Sequence, residues 1–252
     1  MPRVEPLGGE VDWPRDEGAI GVVGVAPWAT LDFCRALYSE VEATKDWHYP
    51  RVLLDINTKI PSRGRHLQLG ERDPSPDLAA TLEELATQGA TVAVVACNTA
   101  HILFERWGEK SPIPVLHIVE ETVGAARAAG ARRVAALGSG SMADHDLYGR
   151  ALRAAGLEAV ALDAAEQCWV GEAIEAVKVS GASALGGLEN LSALLERLRR
   201  AGVDTVLGGC TELSGLRGPC EKGGGLRFID SNRSLALAAL RRINLPPKLL
   251  AG

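Results

Sequence analysis

The sequence predicts an α/β protein of two pseudo-symmetric domains, each a mostly parallel sheet flanked by helices. Three observations carry this. Apolar runs of strand length alternate with amphipathic helical patterns along nearly all of the 252 residues, and uniformly apolar strands joined by helices are parallel strands covered on both faces. The two halves match one another in motif and spacing. A chain of this length also suffices for two units of about 100 to 130 residues, each with its own core.

In order, AIGVVGV (19–25) reads as a strand followed by a helix over 30–43, and RVLLDIN (51–57) as a strand followed by a helix over 77–88. TVAVVAC (91–97) precedes a segment from 99, and PVLHIV (114–119) precedes a helix over 120–129. The rhythm then repeats. RRVAALG (132–138) leads into 143–155, EAVALDA (158–164) into 168–180 and 188–200, and TVLGGC (205–210) is followed by a last helix over 232–242.

The internal match is between QGATVAVVACNTA and AGVDTVLGGCTEL, each of which follows an amphipathic helix, LAATLEELATQG or LSALLERLRRAG. Each has a glycine eight residues before its cysteine (97 − 89 = 8; 210 − 202 = 8). Gly24 precedes Cys97 by 73 residues (97 − 24), and Gly138 precedes Cys210 by 72 (210 − 138). Any two βα units share strands, but paired cysteines at matched spacings point to a duplicated unit. The first domain is expected to span 18–120 plus 228–252, with Cys97, and the second 121–227, with Cys210; residues 1–17 read as an extension.

Composition narrows the function. A formal charge of −5 without a basic stripe argues against nucleic-acid or anionic-membrane partners. The five cysteines are scattered, with no C-x-x-C pair, so no disulfide framework, structural zinc or other metal site is expected. The opening MPRVEPLGGEVDWPRDE lacks the apolar segment of a signal peptide, and no apolar run reaches the roughly 18 residues of a membrane span. The expectation is a cytoplasmic protein.

In open parallel sheets, ligands bind beyond the carboxyl ends of the strands, where the following helices offer free N–H groups and partial positive charge. Cys97 and Cys210 both fall at that edge, where a thiol is expected to have a lowered pKa and to serve as a base. Two thiols approaching a ligand from facing domains can remove a proton from one face of a carbon and return one to the other, which inverts the centre. Free cysteine is also a common buried hydrophobe. That reading suits Cys34, Cys168 and Cys220, whereas the polar residues in CNTAH and CTEL set Cys97 and Cys210 apart. Asn98, Thr99 and Thr211 fit either helix caps or ligand contacts. His101, one turn past Cys97, either tunes the thiol or holds a backbone group. TKIPSRGRH (58–66) places Lys59, Arg63 and Arg65 in an expected loop, where a guanidinium can clamp a carboxylate at two points.

ACNTAH with GCTEL, after a Gly-containing first strand and IPSR, resembles the aspartate/glutamate racemase family over about residues 18–245. His101 and Glu212 resemble its aspartate racemase branch. Members work without pyridoxal phosphate, so the resemblance implies no cofactor, a small anionic amino-acid substrate and a homodimer. It implies proton abstraction and delivery by Cys97 and Cys210, with carboxylate binding by Asn98, Thr99, Thr211, Ser139 and Ser141. Asn57, Arg63 and Lys178 match further substrate-binding positions. The chain departs from the pattern at Ser62, where the family carries an acid, and in GVAPWAT, which is one residue shorter than the family's first loop.

Other readings remain at this stage. GSGSMA (138–143) followed by Asp163 fits a dinucleotide fingerprint. Related scaffolds carry single-thiol decarboxylases and cis-trans isomerases of small diacids, and a non-catalytic small-acid sensor would need no turnover at all.

Overall fold

Residues 17–180, 188–223, 225–245 and 247–248 are described in the computed structural model of the chain; of the expected extension 1–17, only Glu17 falls within them. Their strands form two four-stranded parallel sheets of equivalent order. The first contains β1 (Ala19–Gly24), β2 (Arg51–Ile56), β3 (Val92–Val95) and β4 (Val115–Leu116), arranged β2-β1-β3-β4. The second contains β5 (Arg133–Leu137), β6 (Glu158–Val160), β7 (Thr205–Gly208) and β8 (Arg227–Asp230), arranged β6-β5-β7-β8. Pairing aligns Ile20 with Val92 in one sheet and Val134 with Thr205 in the other. The inner strands β1, β3 and β7 are buried at every residue, which accounts for their unbroken apolar sequence.

The helices are α1 (Pro27–Ser39), α2 (Arg63–Leu69), α3 (Ser75–Thr87), α4 (Phe104–Trp107) and α5 (Ile118–Ala128), then α6 (Gly140–Asp144), α7 (Leu147–Ala154), α8 (Ala164–Ser180), α9 (Leu188–Arg200) and α10 (Ser231–Arg242). Several depart from expectation for local reasons. Helix α1 begins three residues early because Pro27 occupies its first turn, where a missing N–H costs nothing. Asp146, with φ of 47°, divides the expected 143–155 helix into α6 and α7. Helix α8 starts early on a reciprocal cap, in which Glu166 N–H donates to Asp163 Oδ1 at 2.9 Å and Asp163 N–H to Glu166 Oε2 at 2.8 Å. The expected loop around Arg63 and Arg65 is instead α2. Its start is capped by Ser62, whose hydroxyl accepts from Arg65 N–H at 3.3 Å, and its end by Gly70 at φ of 67°.

The sheets are joined by an exchange of helices. Helix α5 leaves β4 of the first sheet and packs on β7 and β8 of the second, while α10 leaves β8 and packs on β3 and β4; the two helices also pack on each other. Ile20, Val22 and Phe33 therefore share one core with Val134, Leu207, Leu235 and Ile118. Separate clusters close the outer faces, with Leu78, Leu82 and Leu85 of α3 on the first sheet and Ile174, Leu194 and Leu198 of α8 and α9 on the second. Each fully buried leucine or isoleucine stabilises the fold by about 2 kcal/mol.

One boundary is corrected. Residues 228–230, expected in the first domain, lie in β8, where Phe228 aligns with Val206. The return to the first sheet begins with α10. An edge strand belongs to whichever sheet satisfies its backbone groups, and β7 provides those partners.

Gly209 sits where β7 turns toward Cys210. A Cβ there would lie 2.8 Å from the Tyr148 ring and 3.0 Å from the Leu137 carbonyl oxygen, a backbone atom that cannot rotate away. Gly209→Ala is therefore expected to destabilise the protein by about 1–3 kcal/mol, read from the midpoint of urea unfolding; an unchanged midpoint would contradict this packing.

Candidate active site

The carboxyl ends of the two sheets open onto one cleft of about 750 Å³. Cys97 and Cys210 both line it, at the ends of β3 and β7. So do Arg63, Asn98, Thr99, Ser139, Ser141, Lys178, Thr211 and Glu212. Asn57 and His101 do not belong to this lining.

Each cysteine leads into a 3-10 turn, Thr99–Leu103 or Thr211–Leu216, rather than the α-helix expected to polarise it. The surroundings of the two thiols then diverge. Cys97 is half-buried and Cys210 buried. The Cys210 thiol donates to Glu212 Oε2 at 2.9 Å, and the Thr211 hydroxyl donates to the same oxygen at 3.0 Å. Burial pushes the Cys210 pKa well above its ordinary value; the Glu212 charge and hydrogen bond push it further, Lys178 opposes them, and charge on Cys97 adds to the rise. The expected lowering thus fails at Cys210, because desolvation and a neighbouring carboxylate outweigh any helix-end polarity.

Polar side chains lock the cleft walls together. Asn98 is buried, accepts from Tyr148 Oη at 2.7 Å and donates to Ser231 Oγ at 3.0 Å. Thr99 and Ser139, one from each half, face one another with their hydroxyls 3.1 Å apart. Behind Cys210, Asn232 donates to the Thr211 carbonyl at 3.2 Å and Ser214 donates to Asp230 Oδ1 at 3.1 Å. Tyr148, Asp230, Ser231 and Asn232 were not singled out in the sequence. For the last three, the D-S-N run opening a helix is a readable capping signal; Tyr148 offers none.

The positive groups are held differently from one another. Arg63 donates to the Pro61 carbonyl at 3.1 Å, and its Nε is buried without a partner. Arg65 is paired with Glu71, including a 2.7 Å bond from Nε. Lys178 donates to Glu175 Oε1 at 2.5 Å; burial draws its pKa down, but Glu175, Cys210 and Glu212 together outweigh this and raise it. Asn57, outside the lining, bonds to the scaffold: its amide donates to Thr81 Oγ1, and its oxygen accepts from Lys59 N–H, both at 3.1 Å.

His101 turns away from the cleft into an aromatic cluster, stacked on Phe104 and edge-on to Trp107 and His117. Its Nδ1 lies 2.9 Å from the Cys97 carbonyl oxygen, which can only accept, so this nitrogen carries the proton. Of the roles open to His101, holding a backbone group is the one the geometry contains. Asp163, the acid of the dinucleotide reading, caps α8 through Oδ1. Among the described residues, no group of three or more His, Cys, Asp or Glu side chains is placed to hold a metal, and no helix is long and apolar enough to cross a membrane.

A duplicated α/β scaffold with one cleft at its joined sheet edges is the two-domain architecture that the chain shares with solved racemases. The chain belongs to the Asp/Glu/hydantoin racemase family, whose model matches residues 20–239. It is 26% identical over 229 residues to the broad specificity amino-acid racemase RacX of Bacillus subtilis, covering 86% of this chain and 94% of that one. The structure is similar to Picrophilus torridus aspartate racemase, with a TM-score of 0.79, 26% identity and coverage of 91% and 96% of the two chains. It shares its fold with a glutamate racemase of Bacillus anthracis at 17% identity, with a TM-score of 0.64 and coverage of 93% and 86%.

Burial, followed by the nearby His117, pushes the His101 pKa down to about 3 from an ordinary 6.5. As pH falls below 6.5, the unfolded chain takes up a proton that the folded chain refuses, so stability present above that pH is lost progressively toward pH 3. The expected loss is about 1.4 kcal/mol per pH unit. In urea unfolding between pH 7 and pH 4.5, His101→Phe should remove that component of the slope; identical slopes in the two proteins would contradict it.

Proposed function

We propose that the protein inverts the α-carbon of an amino acid by proton transfer between Cys97 and Cys210. The observation that carries this reading is that the matched strands β3 and β7, one from each half, deliver a thiol each into the same cleft. In one direction, the Cys97 thiolate removes the α-proton and the electron pair remains on the substrate, delocalised toward its carboxylate. The Cys210 thiol then delivers a proton to the opposite face, leaving Cys97 as thiol and Cys210 as thiolate. The reverse direction exchanges the roles, so protons and charge balance.

An amino-acid α-proton is a far weaker acid than a thiol. The reaction therefore depends on donors that stabilise the developing negative charge more than the ground state. On this reading, Thr99, Ser139, Ser141 and Thr211 with their neighbouring N–H groups receive the carboxylate, Asn98 fixes the loop that carries Cys97, and Arg63 supplies positive charge. Glu212 keeps Cys210 protonated between turnovers, which readies it as the donor. A thiol from each half favours inversion over one-thiol decarboxylation, because protonation from one face needs only one acid.

The resemblance implies aspartate or glutamate as substrate, and the Picrophilus torridus relative is named an aspartate racemase. The Bacillus subtilis relative is named for broad specificity. A cytoplasmic homodimer belongs to the same reading.

Cys97→Ser and Cys210→Ser are each expected to lower racemisation by about 10²- to 10⁴-fold, measured by chiral chromatography, with unfolding midpoints retained. Full activity in either variant would refute the two-thiol scheme. Glu212→Gln removes the charge that raises the Cys210 pKa. For the substrate enantiomer attacked by Cys210, the ascending limb of kcat/KM is expected to move to lower pH, and an unmoved limb would separate Glu212 from the thiol's ionisation.

A further inference from the structure

One wall of the cleft is the face of α8 that carries Ile174, Glu175 and Lys178. Lys178, the cation that the resemblance offers to a substrate carboxylate, is already bonded to Glu175 at 2.5 Å. On α2, Arg65 is likewise paired with Glu71. Arg63 is the cleft-lining cation to which the described residues give no carboxylate partner; its hydrogen bonds go to the Ile60 and Pro61 carbonyls, and its Nε is buried and unpartnered. The lining thus carries three cations (Arg63, Arg65, Lys178) and two anions (Glu175, Glu212), and the Glu71 bound to Arg65 brings the balance to zero (3 − 3).

With the Cys97 thiolate of the proposed reaction, the cleft is one negative charge in excess, and a zwitterion adds no further net charge to it. The substrate ammonium needs an anion, and Ser62 cannot provide one, since it is uncharged and its hydroxyl is engaged as the cap of α2. Glu175 presents a carboxylate from α8. A second carboxylate on the substrate would face Glu175 and Glu212 with its natural cation, Lys178, already neutralised. Like charges brought together in a partly enclosed cleft repel more strongly than in bulk water.

We infer that Glu175 is a specificity-determining residue: it anchors the substrate ammonium, neutralises Lys178 and makes the cleft prefer amino acids with a single carboxylate over aspartate and glutamate. This rests on the racemase reading above and deepens it by naming the substrate class. Glu175 is 70% exposed at its side chain and Lys178 39%, so solvent screens the effect and a moderate discrimination is expected.

The test is exchange of the α-proton in deuterated water, followed by NMR without added cofactor, with alanine, serine and methionine set against aspartate and glutamate in both enantiomers. The unaltered protein should exchange at least one monocarboxylate about tenfold faster, by kcat/KM, than either diacid. Glu175→Gln, which frees Lys178, should raise the diacid-to-monocarboxylate ratio about tenfold, and Glu175→Asp should restore most of the original preference. A preference of the unaltered protein for aspartate or glutamate, or an unchanged ratio in Glu175→Gln, overturns this inference while leaving the racemase reading standing. Absence of exchange with every amino acid overturns that reading and this inference together.

Discussion

The arrangement of the site depends on the packing of α5 against α10 between the sheets. Each sheet places its own cysteine at its own carboxyl edge, but nothing within one sheet determines where the other thiol lies. That relation is set by the shared core, in which Ile118 and Val123 of α5 and Leu235 and Ala239 of α10 join residues from both sheets. A packed interior resists small displacements. On the two-thiol reading, proton transfer between a carbon and two fixed groups needs that resistance, since misplacement by about 1 Å costs heavily in rate. Asn98 extends the constraint to the cleft, because its bonds to Tyr148 and Ser231 tie the Cys97 loop to α7 and to the start of α10. Buried and fully engaged, such a network specifies a position as well as stabilising it.

Symmetry in the backbone does not extend to the electrostatics. Beside Cys97 the supporting residue is a neutral imidazole aimed at the backbone; beside Cys210 it is a carboxylate aimed at the sulfur. The two enantiomers of an amino acid are mirror images, which no rotation relates, so a duplicated scaffold has no reason to keep identical acids and bases. On the two-thiol reading, the buried, carboxylate-bonded Cys210 is a thiol that holds its proton.

The fold was legible where its causes are local. Continuous apolar runs marked β1, β3 and β7 because both faces of those strands are covered, and the spacing of Gly89 and Gly202 from the cysteines marked the repeat because both glycines adopt positive φ, 100° and 75°, after a helix. What was not legible depends on distant partners. Membership of β8 in the second sheet is a pairing property that Arg227–Asp230 cannot express alone. Helix α2 had readable ends in Ser62 and Gly70, but its seven residues lack a long periodic pattern and read as a loop. At the site, chain position located the thiols but not their ionisation, since the carboxylate and burial that control Cys210 arise only on folding. His101 and Asn57 illustrate the same limit: both lie near site residues in sequence, yet His101 Nδ1 and the Asn57 amide bond the scaffold.

Glu212 shows how a buried acid can be tolerated beside a group that, on the two-thiol reading, ionises during turnover. Its Oε2 receives two O–H or S–H donors, from Thr211 and Cys210, which offset part of the cost of its desolvation. Removing the Cys210 proton eliminates one donor and places a second negative charge beside the first. On the two-thiol reading, this state becomes accessible when compensating positive charge enters, and the substrate's own ammonium is such a charge, arriving in a cleft where Lys178 already acts on Cys210. Binding and ionisation are then linked: the ligand that needs a base also makes one less costly to form, and an empty cleft keeps its deeper thiol protonated.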